Sequence, residues 1–286
     1  MALDQEFDEE SNSEGNEMSF IDHLEELRWN IIRAVSSTLV FTIVAYIYRG
    51  EIYHNVILAP KNLDFWTYRM MCKLGMAVGV QDLCVQKIDF QLQALGVGEQ
   101  FSMALTSSVI IGLIFAFPYA FWEIWRFIKP GLRAYERKAA RGAVFFVTTL
   151  FFLGVLFGYY IVTPLTLTFL ANFKLDESII NQFSINSYIS TVSTLTLACG
   201  VAFQLPIVIF VLSRIGILTP KFMREYRRHA FIVILIVAAV ITPSPDIYSQ
   251  IIVAMPLLIL YEISILVSAK VVRAKLREEK AIKPVG

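Results

Sequence analysis

The residues most able to do chemistry sit where charge meets apolar sequence. The stretch Ser19-Phe20-Ile21-Asp22-His23-Leu24-Glu25-Glu26-Leu27-Arg28 runs straight into the first long apolar segment. Ser19 and Asp22 have the capping-box spacing of a helix start. Phe20, Leu24, Leu27 and Ile31 recur as one apolar stripe, and His23, Glu26 and Asn30 as a polar face. A carboxylate held at a membrane surface suits a guanidinium, whose planar fork matches its two oxygens. The same spacing fits a plain solvated cluster of Glu25, Glu26 and Arg28. Three further polar residues, Glu123, Gln204 and Glu262, stand in or near apolar segments, where such groups are costly and usually functional. Each also has a simpler reading. Glu123 is close to Trp125 and Arg126 and fits an interface. Gln204 fits a hydrogen bond between helices. Glu262 lies in a short segment that leaves its depth open.

The elements that carry these residues are membrane helices. Hydrophobic residues make up 56% of the chain, above the roughly 45–50% of soluble domains. Apolar runs over 30–48, 101–125, 142–164 and 188–213 are long enough to cross a bilayer, which takes about 20 residues. Two shorter runs follow, 230–241 and 249–267. The first is too short to cross alone and fits either a crossing pair or a re-entrant hairpin. Pro118, Pro164, Pro206 and Pro256 bend or end helices, which suits either a concave bundle or simple packing.

Charge orients the spans. Basic residues gather over 126–141, 214–228 and 270–283, and these places are cytoplasmic by the positive-inside rule. The prediction is an all-α polytopic protein with six spans and both termini cytoplasmic. Residues 1–17 carry Asp4, Glu6, Asp8, Glu9, Glu10, Glu14 and Glu17 and no Lys or Arg. They read as a disordered acidic tail and not as a cleavable signal peptide. Residues 18–270 form the membrane domain, with an external loop at 49–98, and 271–286 form a basic tail. Tyr53, Phe65, Trp66 and Tyr68 in that loop are expected at headgroup level. Cys72 and Cys84 share it, and an oxidising compartment favours a disulfide between them over two free thiols.

Several classes are excluded. Net charge is +1, with no bulk basicity for nucleic acid. HExxH, Walker A, GxSxG and CxxC patterns are absent, so no enzyme, cofactor or metal is expected. The histidines, His23, His54 and His229, are scattered over both sides of the membrane.

An ordered set of motifs resembles the TatC family, the multi-span receptor of the twin-arginine protein translocase. His23-Leu24-Glu25-Glu26-Leu27-Arg28 resembles its amino-terminal motif, and Leu58-Ala59-Pro60 its first external loop. Trp125-Arg126-Phe127-Ile128-Lys129-Pro130-Gly131-Leu132 with Tyr135-Glu136-Arg137-Lys138 resembles its first cytoplasmic loop. Phe203-Gln204-Leu205-Pro206, Leu218-Thr219-Pro220 and Thr242-Pro243-Ser244-Pro245-Asp246-Ile247-Tyr248-Ser249-Gln250 resemble later elements.

The resemblance implies a concave, glove-like bundle of six helices, the last two short, in the bacterial inner membrane. It implies binding of twin-arginine signal peptides on folded cargo, with Glu26 and Glu136 as the carboxylates and His23, Arg28, Phe127 and Arg137 close by. Pro60 and Asp246 mark external turns. Partners would be single-span proteins resembling TatA and TatB, further copies of the chain, and membrane lipids, with the proton gradient as energy source. This chain departs from the family in having Trp29 and Asn30 where a second basic residue is common, and Gln204 where a glutamate is common. The Cys-bearing part of its external loop is also longer. The alternative reading is a proton-coupled secondary transporter of a small solute. It calls for charged groups at the midplane between repeats, whereas here they cluster at the cytoplasmic face.

Overall fold

The computed structural model describes residues 20–79, 84, 90–128, 142–176, 178, 181–242 and 247–282. Helix α1 spans Phe20–Ile47, so the amphipathic start and the first span are one continuous rod. The stretch continues through the single-turn α2 (Arg49–Ile52), a π-turn at Tyr53–Ile57 and a 3₁₀ turn at Ala59–Lys61 that contains Pro60. Helix α3 (Trp66–Val78) ends at Gly79, whose φ of 79° is left-handed, as a helix C-cap requires. Strand β1 (Gln91–Gln93) leads into α4 (Glu99–Ile128).

Helix α5 (Ala143–Phe157), a π-turn at Gly158–Val162 and α6 (Thr163–Asn172) follow without a break. Strand β2 (Gln182–Ser184) precedes α7 (Ile185–Ala202), α8 (Leu205–Ile215) and α9 (Pro220–Glu225). Helices α10 (Arg227–Ile241) and α11 (Ile247–Ile282) complete the described chain. Among the described residues, five stretches are long and apolar enough to cross a membrane: 25–47, 99–127, 144–172, 185–213 and 249–273. Helix α10 has 15 residues, about 22 Å at 1.5 Å per residue, and is not among them.

The structure differs from the sequence reading in several places. The third span does not stop at Pro164. The helix runs on through a π-turn, and the Tyr160 carbonyl, which Pro164 has no N–H to meet, accepts from the Thr67 hydroxyl. Pro118 and Pro256 lie inside continuous helices. The fourth span does break, at Phe203–Gln204 before Pro206. The fold is also not purely helical: β1 and β2 pair in parallel, Gln91 opposite Gln182 and Gln93 opposite Ser184. Of the loop aromatics, Tyr68 and Phe65 are buried in protein, and only Trp66 is exposed.

Close backbone approach fixes the packing. A Cβ on Gly112 of α4 would lie 2.7 Å from the Thr42 nitrogen of α1. One on Gly154 of α5 would lie 2.6 Å from the Cys199 carbonyl of α7. Small residues at membrane helix contacts allow such approach. The largest buried cluster joins α5, α7, α10 and α11 through Leu150, Leu195, Cys199, Ala238, Val253 and Leu257. A second cluster ties the external segment to the bundle through Ile57, Phe90, Leu167, Tyr188 and Ile189.

Candidate functional site at the paired ends of α1 and α4

Helices α1 and α4 run antiparallel. Thr42 meets Gly112, and Arg33 meets Glu123. The first turns of α1, carrying Glu26 and Arg28, therefore lie at the same end as the last turns of α4, carrying Arg126 and Phe127. The chain leaves α4 at Ile128 and returns at Ala143. Glu136 and Arg137 fall between these points, outside the described residues, as do the side chain of His23 and all of Asp246.

Glu26, Asn30 and Arg33 recur at i, i+4 and i+7, one face of α1 turned toward α4. Their environments differ. Arg33 places Nη1 3.5 Å from Oε2 of Glu123, which is 1% exposed, and the Tyr119 hydroxyl approaches the same carboxylate. That pair is satisfied. Glu26 is half-buried, and its Oε2 is shielded from solvent without a hydrogen-bond partner. Asn30 is 4% exposed, and its Nδ2 is likewise unpartnered. Glu26 and Asn30 sit one turn apart yet do not satisfy each other. A shielded acceptor and a shielded donor side by side at a membrane entrance invite a polar ligand, because leaving each unmet costs about 1–3 kcal/mol. Glu25, Arg28 and Trp29 point outward and are exposed.

Sequence reasoning missed Arg33. Its signal was a lone basic residue inside the apolar run 30–48, two turns from Glu26. It also missed Glu99, whose carboxylate accepts from the backbone N–H groups of Leu95, Gly96 and Asn186, at 2.6, 3.0 and 3.1 Å.

The other polar candidates do not join this site. Gln204 sits at the α7–α8 break, where Nε2 donates to the Val147 carbonyl at 3.3 Å and Oε1 is buried without a partner. Glu262 is exposed and bonded at 2.7 Å to Arg227, the first residue of α10, so it is paired with a basic residue of the neighbouring helix and is not a free carboxylate. Cys72 and Cys84 are joined by a disulfide. Pro60 is buried, and its carbonyl accepts from the Tyr68 hydroxyl at 2.9 Å. That hydroxyl also reaches the Pro164 carbonyl at 3.2 Å, and burial pushes its pKa up to about 12. Among the described residues, no three His, Cys, Asp or Glu side chains gather to hold a metal ion.

Comparison with known proteins bears on this arrangement. The model of the family described as Sec-independent protein translocase protein (TatC) matches residues 22–256. A Sec-independent protein translocase protein TatC from Blattabacterium sp. subsp. Periplaneta americana is 38% identical over 265 residues, 92% of this chain and 99% of that protein. The TatC of Aquifex aeolicus is 30% identical, over 92% of this chain and 100% of its own length. A crystal structure of the twin-arginine translocase receptor TatC in DDM superposes with a TM-score of 0.67 at 30% identity, covering 86% of this chain and 99% of the other. A second crystal structure of that receptor gives 0.63 at 29% identity, covering 87% and 99%.

Proposed function

The chain belongs to the TatC family of Sec-independent protein translocase components, and from that membership we propose that it is the subunit that receives twin-arginine signal peptides. It is a multi-pass membrane protein, and the small-solute carrier reading gives way to protein transport. The observation that carries the receptor role is the unmet Glu26 carboxylate oxygen, two turns along α1 from Arg33, whose guanidinium is already taken by Glu123. One α1 carboxyl oxygen is thus left for an incoming guanidinium, and Asn30 adds a donor for a peptide carbonyl. Glu136, with Arg137 and His23 close by, supplies the second carboxylate. The role is binding and assembly and not catalysis, with proteins resembling TatA and TatB as partners, alongside other copies of this chain.

The same reading places six spans in a bacterial inner membrane, both termini cytoplasmic, as a concave glove. Helix α10 crosses as one arm of a pair with α11, and the bilayer thins beside it. The pairing of Glu262 with Arg227 supports this, since it ties the start of α10 to α11 and keeps the two helices side by side.

Binding of a twin-arginine peptide to the purified protein tests the assignment. Glu26→Gln and Glu136→Gln should each weaken binding about tenfold to a hundredfold, the range of a lost charge-assisted bond. Binding of a twin-lysine peptide should be weak to all forms, since an ammonium cannot copy the fork. Unchanged affinity in the double substitution would remove both residues from the site.

A further inference from the structure

A groove lies between α3 and α5, built from none of the residues named in the candidate site at the ends of α1 and α4. Its volume is about 500 Å³, and it is lined by Trp66, Leu153, Leu156, Phe157, Tyr160 and Ile161. One wall is the outward face of α5, where Leu153 and Leu156 are 54% and 51% exposed. This face belongs to a helix able to cross a bilayer, so hydrocarbon covers it. Its depth follows from the chain. Tyr160 is seventeen residues beyond Ala143, about 26 Å of a ~30 Å hydrocarbon core. The groove therefore opens in the outer half of the bilayer, and its rim lies near the headgroups. Trp66 and Tyr160 meet there with ring centroids 6.0 Å apart, as interfacial aromatics do.

Helix α3 extends that rim. Thr67, Tyr68 and Gly75 carry its buried side. On the opposite side Trp66, Met70 and Leu74 recur at i, i+4 and i+8, each exposed. Arg69 and Lys73 share this outward side, also exposed, and neither forms an ion pair among the described residues. An apolar stripe bordered by cations is the pattern of a helix lying in the plane of a membrane interface. The α3 stripe is continuous, through Trp66, with the lipid-facing wall of the groove.

We infer that the groove and α3 form a site for a phospholipid with an anionic headgroup. One acyl chain lies in the groove against Leu153, Leu156 and Phe157, and the headgroup phosphate sits between Arg69 and Lys73. The guanidinium offers paired donors to phosphate, and the ammonium adds a second charge.

The test uses the full chain in nanodiscs, with Trp66 left as the sole tryptophan by Trp29→Phe, Trp122→Phe and Trp125→Phe. The bilayer is phosphatidylcholine doped with acyl-brominated phosphatidylglycerol or, at equal mole fraction, acyl-brominated phosphatidylcholine. Trp66 fluorescence should be quenched about twofold or more strongly by the anionic lipid, the order expected for two cations near a headgroup. Arg69→Gln with Lys73→Gln should erase that preference and keep the quenching common to both lipids. Equal quenching by the two lipids before substitution would reduce the groove to unspecific hydrocarbon contact and overturn the site. A preference that survives the double substitution would overturn the role of the cations. Absence of quenching by either lipid would lift α3 off the membrane.

Discussion

Arg33 and Glu123, ninety residues apart in sequence, meet at 3.5 Å across the α1–α4 contact, one 43% and the other 1% exposed. The asymmetry in burial predicts an asymmetry in substitution. Arg33→Met strands a buried carboxylate and should cost about 2 kcal/mol, after discounting for the exposure of Arg33. Glu123→Gln leaves an arginine that can reach water or headgroups, and should cost about 0.5 kcal/mol or less. The double substitution should resemble Glu123→Gln. Denaturant unfolding of the three variants in one detergent checks the order, and equal losses for the two single variants would contradict it.

A second expectation concerns Asn30. Its buried Nδ2 has no partner, so Asn30→Ala removes an unmet donor at the expense of a small void. These terms are of similar size, about 1 kcal/mol each. Stability should stay close to that of the unaltered chain while twin-arginine peptide affinity falls. A large loss of stability would show that Asn30 holds the helix pair together and has no role toward a ligand.

How much of this could be read from residues alone depends on how local each feature is. The α7–α8 break was legible only in part: Pro206 has no N–H for the Ala202 carbonyl, yet Pro118 and Pro256 carry the same lack inside unbroken helices. The apolar spans were legible, since length and composition declare them. The partnership of Arg33 with Glu123 was not, because it depends on how α1 and α4 register through Gly112. The partner of Glu262 was hidden for the same reason: Arg227 lies 35 residues away on another helix. The β1–β2 pair escaped because Gln-Leu-Gln and Gln-Phe-Ser are too short and polar to show a strand period.

Gly112 yields a third prediction. A side chain there would meet the backbone nitrogen of Thr42, which cannot rotate away. Gly112→Val should push α1 off α4 and separate Arg33 from Glu123, a loss of about 2–3 kcal/mol typical of overpacking. Denaturant unfolding of Gly112→Val in one detergent should register this loss. Stability equal to that of the parent chain would show that the contact tolerates bulk.

The fourth prediction is a pH dependence at Tyr68. The Tyr68 hydroxyl donates to two carbonyls, and its pKa stands near 12 instead of the ordinary 10. A raised folded value means the unfolded chain loses this proton first. The contribution is therefore full below pH 10 and drains away as pH rises toward 12, by about 2–3 kcal/mol in all. Tyr68→Phe should be less stable at pH 8, where it lacks the two bonds, yet lose less on going to pH 12. Parallel thermal stability curves across that window would exclude Tyr68 as the titrating group.

A fifth concerns topology. A single cysteine placed at 246, with the native cysteines replaced, should react with an impermeant reagent only from the external side, and one at 228 only from the cytoplasm. Labelling of position 246 from the cytoplasm alone would turn the α10–α11 pair into a re-entrant hairpin.

Glu99 and the β1–β2 pair together pin the starts of α4 and α7 to one another, since a single carboxylate accepts from N–H groups at both helix starts. The two helices point the same way from that joint, like the legs of a pair of dividers. Any spreading between them must pivot at this joint, so displacement grows with distance from it. Helix α4 has 30 residues, a lever of about 45 Å, and a tilt of about 5° would carry its far end some 4 Å. The joint would barely move, while the end that carries Arg126 and Phe127 swept the widest arc.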